Sequence, residues 1–190
     1  MILPIVKYGE PVLRKKGARI DKITPEIQQL IADMFDTMRS AAGVGLAAQQ
    51  VGRALQLTVL DVTGVKDRPS ILELDGRPAE VLEFMPLVLI NPEIKPIGEP
   101  AIGPEGCLSF PEIYADITRP ESVEVTALNA RGETIRFKAG GLLARAVQHE
   151  VDHLNGILFI DRMTSKVKNE HREEIEALKA ETEAMLNSKT

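Results

Sequence analysis

Gly140-Gly141-Leu142-Leu143-Ala144-Arg145-Ala146-Val147-Gln148-His149-Glu150-Val151-Asp152-His153-Leu154-Asn155-Gly156 is the stretch that decides how the rest of the chain is read. A glycine pair precedes it, Asn-Gly closes it, and no Pro or Gly interrupts it between, so it predicts one helix with a stop signal. At about 100° per residue His149 and His153 share a face one turn apart, and Glu150 lies roughly a quarter-turn from His149. Leu143, Val147 and Leu154 form an apolar arc, while Arg145, Gln148 and Asp152 confine the polar side chains to a narrow one. Such a helix is buried on most sides, and two imidazoles and a carboxylate on it call for a reason. Two His at i and i+4 can aim a ring nitrogen at one metal ion, with the Glu beside the first acting on a water there. The alternative at this point is a chance H-E-x-x-H match whose imidazoles are satisfied by hydrogen bonds. Two ligands do not make a site, so a third must come from elsewhere.

The 190 residues, 44% hydrophobic and 27% charged, suit a single domain (residues 1–190) with a proper core. A net charge of −5 without a long basic run argues against a nucleic-acid surface. No apolar stretch approaches bilayer-spanning length, so no membrane association is expected. Met1 to Lys7 is too short and interrupted for a signal peptide and lacks the Arg/Ser bias of a transit peptide, which points to the cytoplasm. The lone Cys107 cannot form an internal disulfide; it is a nucleophile, a ligand or a small buried residue.

Outward from the central helix, Thr24-Pro25-Glu26 reads as a helix start. Ile27, Leu30, Ile31, Met34, Phe35 and Met38 follow as its apolar stripe. Gly43-Val44-Gly45-Leu46-Ala47-Ala48-Gln49-Gln50-Val51-Gly52 is either a tight loop or a backbone that something must approach closely. Leu55 to Val62 reads as a strand, 63–86 as a hairpin-like excursion, and Leu87–Asn91 and Ile94–Ile97 as short strands broken by Pro92 and Pro96. Val123–Asn129 and Glu133–Lys138 flank the hairpin signal Ala130-Arg131-Gly132. Ile157–Ile160 is expected as a last short strand. Val167, His171, Ile175, Leu178, Thr182 and Met185 stripe a charged C-terminal helix over 164–187, with His171 a surface residue. Short, hairpin-linked strands without βαβ alternation give an α+β class: antiparallel sheets packed around a buried metal-binding helix, with an N-terminal and a C-terminal helix.

Cys107 lies in the punctuated turn Gly103-Pro104-Glu105-Gly106-Cys107-Leu108-Ser109-Phe110-Pro111. Alone it reads as an inert thiol; with His149 and His153 it completes a catalytic metal set with an open fourth position. Gly43-Val44-Gly45-Leu46-Ala47-Ala48-Gln49-Gln50, Glu105-Gly106-Cys107-Leu108-Ser109 and Gln148-His149-Glu150-Val151-Asp152-His153 resemble, in order, the three signature motifs of the peptide deformylases, and the similarity runs from about Val6 to Arg162. The resemblance implies a hydrolase that removes the N-formyl group from the formylmethionine of nascent polypeptides and releases formate. It implies one Fe(II) per chain on Cys107, His149 and His153, with Zn, Ni or Co able to substitute, and Glu150 as the base. It implies oxyanion donors from the Gln50 side chain and the Leu108 backbone, and a substrate strand along Gly43, Val44 and Gly45. The methionine pocket would be walled by Leu142, Ala146 and Val44. Partners would be nascent formyl-Met chains near the ribosome exit, with no direct nucleic acid contact, on a monomer or weak dimer.

Three features depart from the family pattern. Residues 63–86 look like an insertion and are expected to form a surface excursion without catalytic groups. Tyr114 stands where many relatives carry Arg. Arg145 stands where many carry a bulky apolar residue, and its guanidinium is expected to swing to solvent, leaving its stem on the pocket. Two other classes compete: a zinc endopeptidase, which would take its third ligand downstream of the helix, and a structural metal site, which would need four protein ligands.

Overall fold

Two long antiparallel strands, β5 (Leu87–Cys107) and β6 (Phe110–Leu128), form the frame of the structure, a computed structural model that describes all 190 residues. They are joined by the two-residue turn Leu108-Ser109, with Cys107 paired to Phe110. The expected breaks at Pro92 and Pro96 are absent: Leu87–Asn91 and Ile94–Ile97 belong to one strand. Its register slips between Ile90 and Glu93, between Ile97 and Pro100, and at Gly106/Cys107. Bulges of this kind let a strand carry residues without a donor N–H and bend it as they do so.

Around this hairpin lie β1 (Gly45–Ala47), β2 (Leu57–Leu60), β3 (Ser70–Leu74), β4 (Arg77–Ala79) and β7 (Thr134–Gly140). The seven strands make one sheet in the order β1-β2-β5-β6-β7-β3-β4, every pair antiparallel. Helix α1 (Pro25–Ser40) starts where expected: the Thr24 hydroxyl accepts the Ile27 N–H at 3.3 Å, and the apolar stripe is buried against Leu46, Leu57, Val59 and Ile90. Helix α3 (Gly141–Leu154) packs against β1, β2, β3, β5, β6 and β7. Every residue from Leu142 to Leu154 is buried, the polar arc included. This is the α+β arrangement of an antiparallel sheet around a metal-site helix, with helices at both ends of the chain. No helix is long and apolar enough to cross a membrane.

Three segments differ from expectation. Residues 63–86 hold the β3–β4 hairpin and a short helix, α2 (Val81–Phe84), but they do not stand off from the body. β3 pairs with β7, Leu72 is buried, and Phe84 meets Phe137 edge-on at 5.2 Å, because the segment's apolar residues close one side of the core. Ile157–Ile160 forms no strand. Leu158, Phe159 and Ile160 are buried against Phe110 and Ile117, while the Asp161 carboxylate accepts the Leu158 N–H at 2.9 Å and winds Phe159–Arg162 into a 3-10 turn. The C-terminal helix is two helices, α4 (Ser165–Glu170) and α5 (Arg172–Asn187), meeting at His171. Of the stripe, Ile175 and Thr182 are buried and Met185 is exposed.

Candidate active site

The β5–β6 turn carries Cys107 to the face of α3 that bears His149 and His153. One ligand atom from each of the three lies within 4.8 Å of the other two, and Cys107 Sγ is 3.4 Å from His153 Nε2. The groups that back His149 on the side away from the cluster are charged. Glu105, two residues before the cysteine, lies with Oε1 2.8 Å from His149 Nδ1. A carboxylate only accepts, so Nδ1 carries the proton and the other ring nitrogen is left bare for an ion. Arg119 grips the same carboxylate through Nε at 2.6 Å and Nη2 at 3.0 Å, and Arg145 adds a bond at 2.8 Å. Arg119 also reaches Asp152 at 2.9 Å, which in turn accepts from Arg162.

The electrostatics fit a cation. Burial raises the Glu105 pKa, but the bonds from His149 and Arg119 overcome it and hold the carboxyl far below its usual range. Burial likewise opposes charge on His149, yet Cys107 and Glu105 lift its pKa well above normal. Burial, then the charges of His149 and Arg119, push His153 well below and keep it neutral. The cluster thus draws positive charge to the point between its sulfur and its imidazoles, and a divalent ion meets that demand while leaving both rings as neutral donors. One thiolate and two imidazoles form a borderline-soft set suited to iron, zinc, nickel or cobalt and unsuited to magnesium or calcium.

Glu150 is buried beside this centre, and burial pushes its pKa up to about 7, against the pull of His149 and of Thr58, whose hydroxyl is 3.5 Å away. Its carboxylate lies against the backbone of Gly45, where a Cβ would stand 2.7 Å from Oε1, so any side chain at this position would push the Glu150 carboxylate out of its place. The Gln50 side chain is buried and fixed at both ends. Its oxygen accepts from the Ala47 N–H at 2.9 Å, and its nitrogen donates to Ser109 Oγ at 3.2 Å and faces Cys107 Sγ at 3.5 Å. The Leu108 carbonyl accepts from Lys7 Nζ at 3.0 Å. A cavity of about 560 Å³ opens onto these groups. Gly43, Val44, Gly45, Gln50, Cys107, Leu108, Leu142, Ala146, His149 and Glu150 all line it; His153 lies beneath, 1% exposed. His171 is remote from the cluster, 3.5 Å from Glu174.

The guanidinium of Arg145 does not swing to solvent. It turns inward and donates to Glu105 at 2.8 Å, to the Ile117 carbonyl at 2.8 Å and to the Ala101 carbonyl at 2.9 Å. Gly103 makes the room: a Cβ there would sit 3.1 Å from the guanidinium nitrogens. Tyr114 is 68% exposed, its ring laid over Gly106. Sequence reasoning missed Glu105 and Arg119 as supports of His149. The available signal was a carboxylate two residues before a ligand cysteine, in a turn that had to be buried to deliver that cysteine.

The likeness to known proteins extends over nearly the whole chain. Peptide deformylase from Methylacidiphilum infernorum is 47% identical over 189 residues, covering 100% of this chain and 98% of its own. That from Opitutus terrae is 46% identical over 170 residues, 88% of each. Among solved structures, Arabidopsis thaliana peptide deformylase 1B in complex with an inhibitor superposes with a TM-score of 0.82 at 41% identity, covering 96% of this chain and 93% of that one. A peptide deformylase from Legionella pneumophila gives 0.79 at 36%, covering 95% and 96%. The family model described as polypeptide deformylase matches residues 2–169, a span that contains the cysteine turn, the H-E-x-x-H helix and the glycine segment facing them, and the chain belongs to that family.

Proposed function

We propose that this deformylase removes the formyl group from the N-terminal formylmethionine of nascent polypeptides with one Fe(II) per chain on Cys107, His149 and His153, and with the following division of labour. When bound, the ion supplies a Lewis acid that polarises the formyl carbonyl and makes a water acidic near neutral pH. Glu150 takes the proton of the attacking water as its oxygen adds to the formyl carbon. It then delivers that proton to the amine as the C–N bond breaks and formate leaves. A carboxylate whose pKa is about 7 suits both halves of that transfer. The Gln50 amide, held with its N–H₂ toward the cysteine turn, and the Leu108 backbone N–H donate to the carbonyl oxygen as it gains charge.

β1 supports the placement of the peptide. It ends the sheet with one side paired to β2 and the other free, and it borders the cavity at Gly45. An extended substrate can add there as a further strand through backbone bonds along Gly43–Gly45. Leu142, Ala146 and Val44 offer an apolar wall to the methionine thioether, worth roughly 2 kcal/mol. Arg145 is spent on Glu105 and two carbonyls, so the pocket keeps an apolar character.

The observation that carries this reading is the convergence of Cys107, His149 and His153 within 4.8 Å in a cavity that also holds Glu150 and Gln50. The test is formate release from formyl-Met-Ala-Ser by protein purified without oxygen, paired with metal analysis of the same sample. Release from formyl-Met and not formyl-Glu peptides, with one iron per chain, is expected. Cleavage of an unformylated peptide at an internal bond would overturn it.

A further inference from the structure

A second cavity, of about 570 Å³, adjoins the first, and the two share Arg68, Pro104, Leu142 and Arg145 on their common wall. Two of those residues are arginines, and they differ in what they have left to offer. Arg145 has its guanidinium committed to Glu105, the Ile117 carbonyl and the Ala101 carbonyl. The remaining cation of the first cavity, Lys7, donates to the Leu108 carbonyl. Arg68 is half-buried, yet it makes no side-chain hydrogen bond and no ion pair. Five donors on a planar fork are therefore free at the junction of the two cavities.

The backbone beneath that fork is fixed. The Pro69 carbonyl accepts the Leu142 N–H at 3.0 Å, Ser70 Oγ accepts the Leu143 N–H at 3.1 Å, and Ser70 bridges Gly141. The start of α3 thus clamps the residues just after Arg68 and leaves only the side chain to move. Leu142 stands two helical turns before His149, about 10 Å along the axis. Arg68 lines the same cavity as Leu142 and as Gly43–Gly45, the segment along which the peptide is proposed to lie. An extended peptide advances about 3.3 Å per residue, so the one or two residues after a methionine seated at Leu142 fall within reach of the Arg68 side chain.

We propose that Arg68 is a specificity-determining residue that pairs with an acidic side chain at one of the first two positions after the formylmethionine. The inference rests on the deformylase reading for its choice of substrate. It gives the 63–86 segment a role: the loop leading into the β3–β4 edge presents a cation to the substrate channel. The other carboxylates around the junction do not neutralise it. Asp67 precedes it without contact, Glu105 is held by Arg119 and Arg145, and Glu121 accepts the Glu99 N–H at 3.4 Å.

The experiment measures kcat/KM for formyl-Met-Ala-Ser, formyl-Met-Glu-Ser, formyl-Met-Ala-Glu and the two lysine counterparts on the metal-loaded protein purified without oxygen. The acid-to-lysine ratio should be about fivefold at one of the two positions, the scale of a partly exposed ion pair, and should reside in KM. Arg68→Ala should bring that ratio near one, Arg68→Glu should invert it, and Arg68→Lys should keep most of it. A ratio near one in the wild-type protein, or one that survives in Arg68→Ala, overturns the proposal. Failure of formyl-Met-Ala-Ser to release any formate overturns the deformylase reading instead. Calorimetric binding of the same peptides then decides Arg68 separately, through the same ratio taken between dissociation constants.

Discussion

Replacing Glu105 by Gln tests whether the buried charge behind His149 is what readies the site for its ion. Glu105 accepts four bonds: Arg119 Nε and Arg145 on Oε2, and Arg119 Nη2 and His149 Nδ1 on Oε1. A glutamine offers one oxygen and one NH₂, so whichever way it turns, two of the four donors face a donor. With the oxygen at the Oε1 position His149 keeps its partner, but Arg119 Nε and Arg145 are left opposite an amine in a site where Arg119 and Glu105 side chains are each 4% exposed. Removing one partner of such a buried network costs about 3–5 kcal/mol, because the remaining charges have neither water nor a counter-ion. The flipped amide spares Arg145 and releases His149, which should weaken metal affinity by roughly 10- to 100-fold. Urea unfolding of the apo form reads the first effect, and chelator competition for zinc reads the second. A Glu105→Gln protein within about 1 kcal/mol of the parent in stability, holding zinc as tightly, would refute the reasoning.

Glu150→Gln should keep the metal, measured by elemental analysis, and lose formate release by about 10²- to 10⁴-fold, since an amide cannot accept the water's proton. Gln50→Ala should lower kcat by about a hundredfold, the scale of one lost oxyanion donor, with KM little changed. The carboxyl of Asp161 is raised by burial but held below its usual pKa, on balance, by the bond from Arg14 and the Leu158 N–H. It therefore stabilises the fold at pH above the unfolded carboxyl value of about 3.9 and loses that contribution as pH falls through the lower folded value. Asp161→Asn should shift the urea midpoint downward at pH 7 and by less at pH 3; equal shifts at both would contradict the pairing. Truncation after Arg162 should cost stability more than chemistry, because α5 buries Ile175 and Thr182 and sends no side chain to the site; lost turnover at an unchanged melting temperature would count against it.

Periodicity reveals which way a side chain points on its own element, and that was enough for the parts of the site that lie on one helix or one turn. His149, Glu150 and His153 follow from a 3.6-residue repeat, and Cys107 from being the lone thiol that can join the two imidazoles as a third ligand. What periodicity does not carry is what stands opposite. The polar arc of Arg145, Gln148 and Asp152 is indistinguishable on a helical wheel from a solvated face, yet each member meets a fixed partner. Arg145 meets Glu105, Gln148 donates to the Pro120 carbonyl at 3.0 Å, and Asp152 joins Arg119 and Arg162. The same blindness hid β5: local proline signals cut it into pieces, while its pairing to β6 along most of its length, a contact distant in sequence, holds it together through the bulges. Both misreadings have one physical source. A sheet that wraps a helix on nearly every side turns polar residues into interior residues, and interior charges survive only as matched sets. The buried opposite charges of Glu105, Arg119, Arg145 and Asp152 are each costly where they stand; together, with the exposed Arg162 completing the set at its edge, they are the condition for placing His149 on a buried helix with its proton on the nitrogen away from the ion.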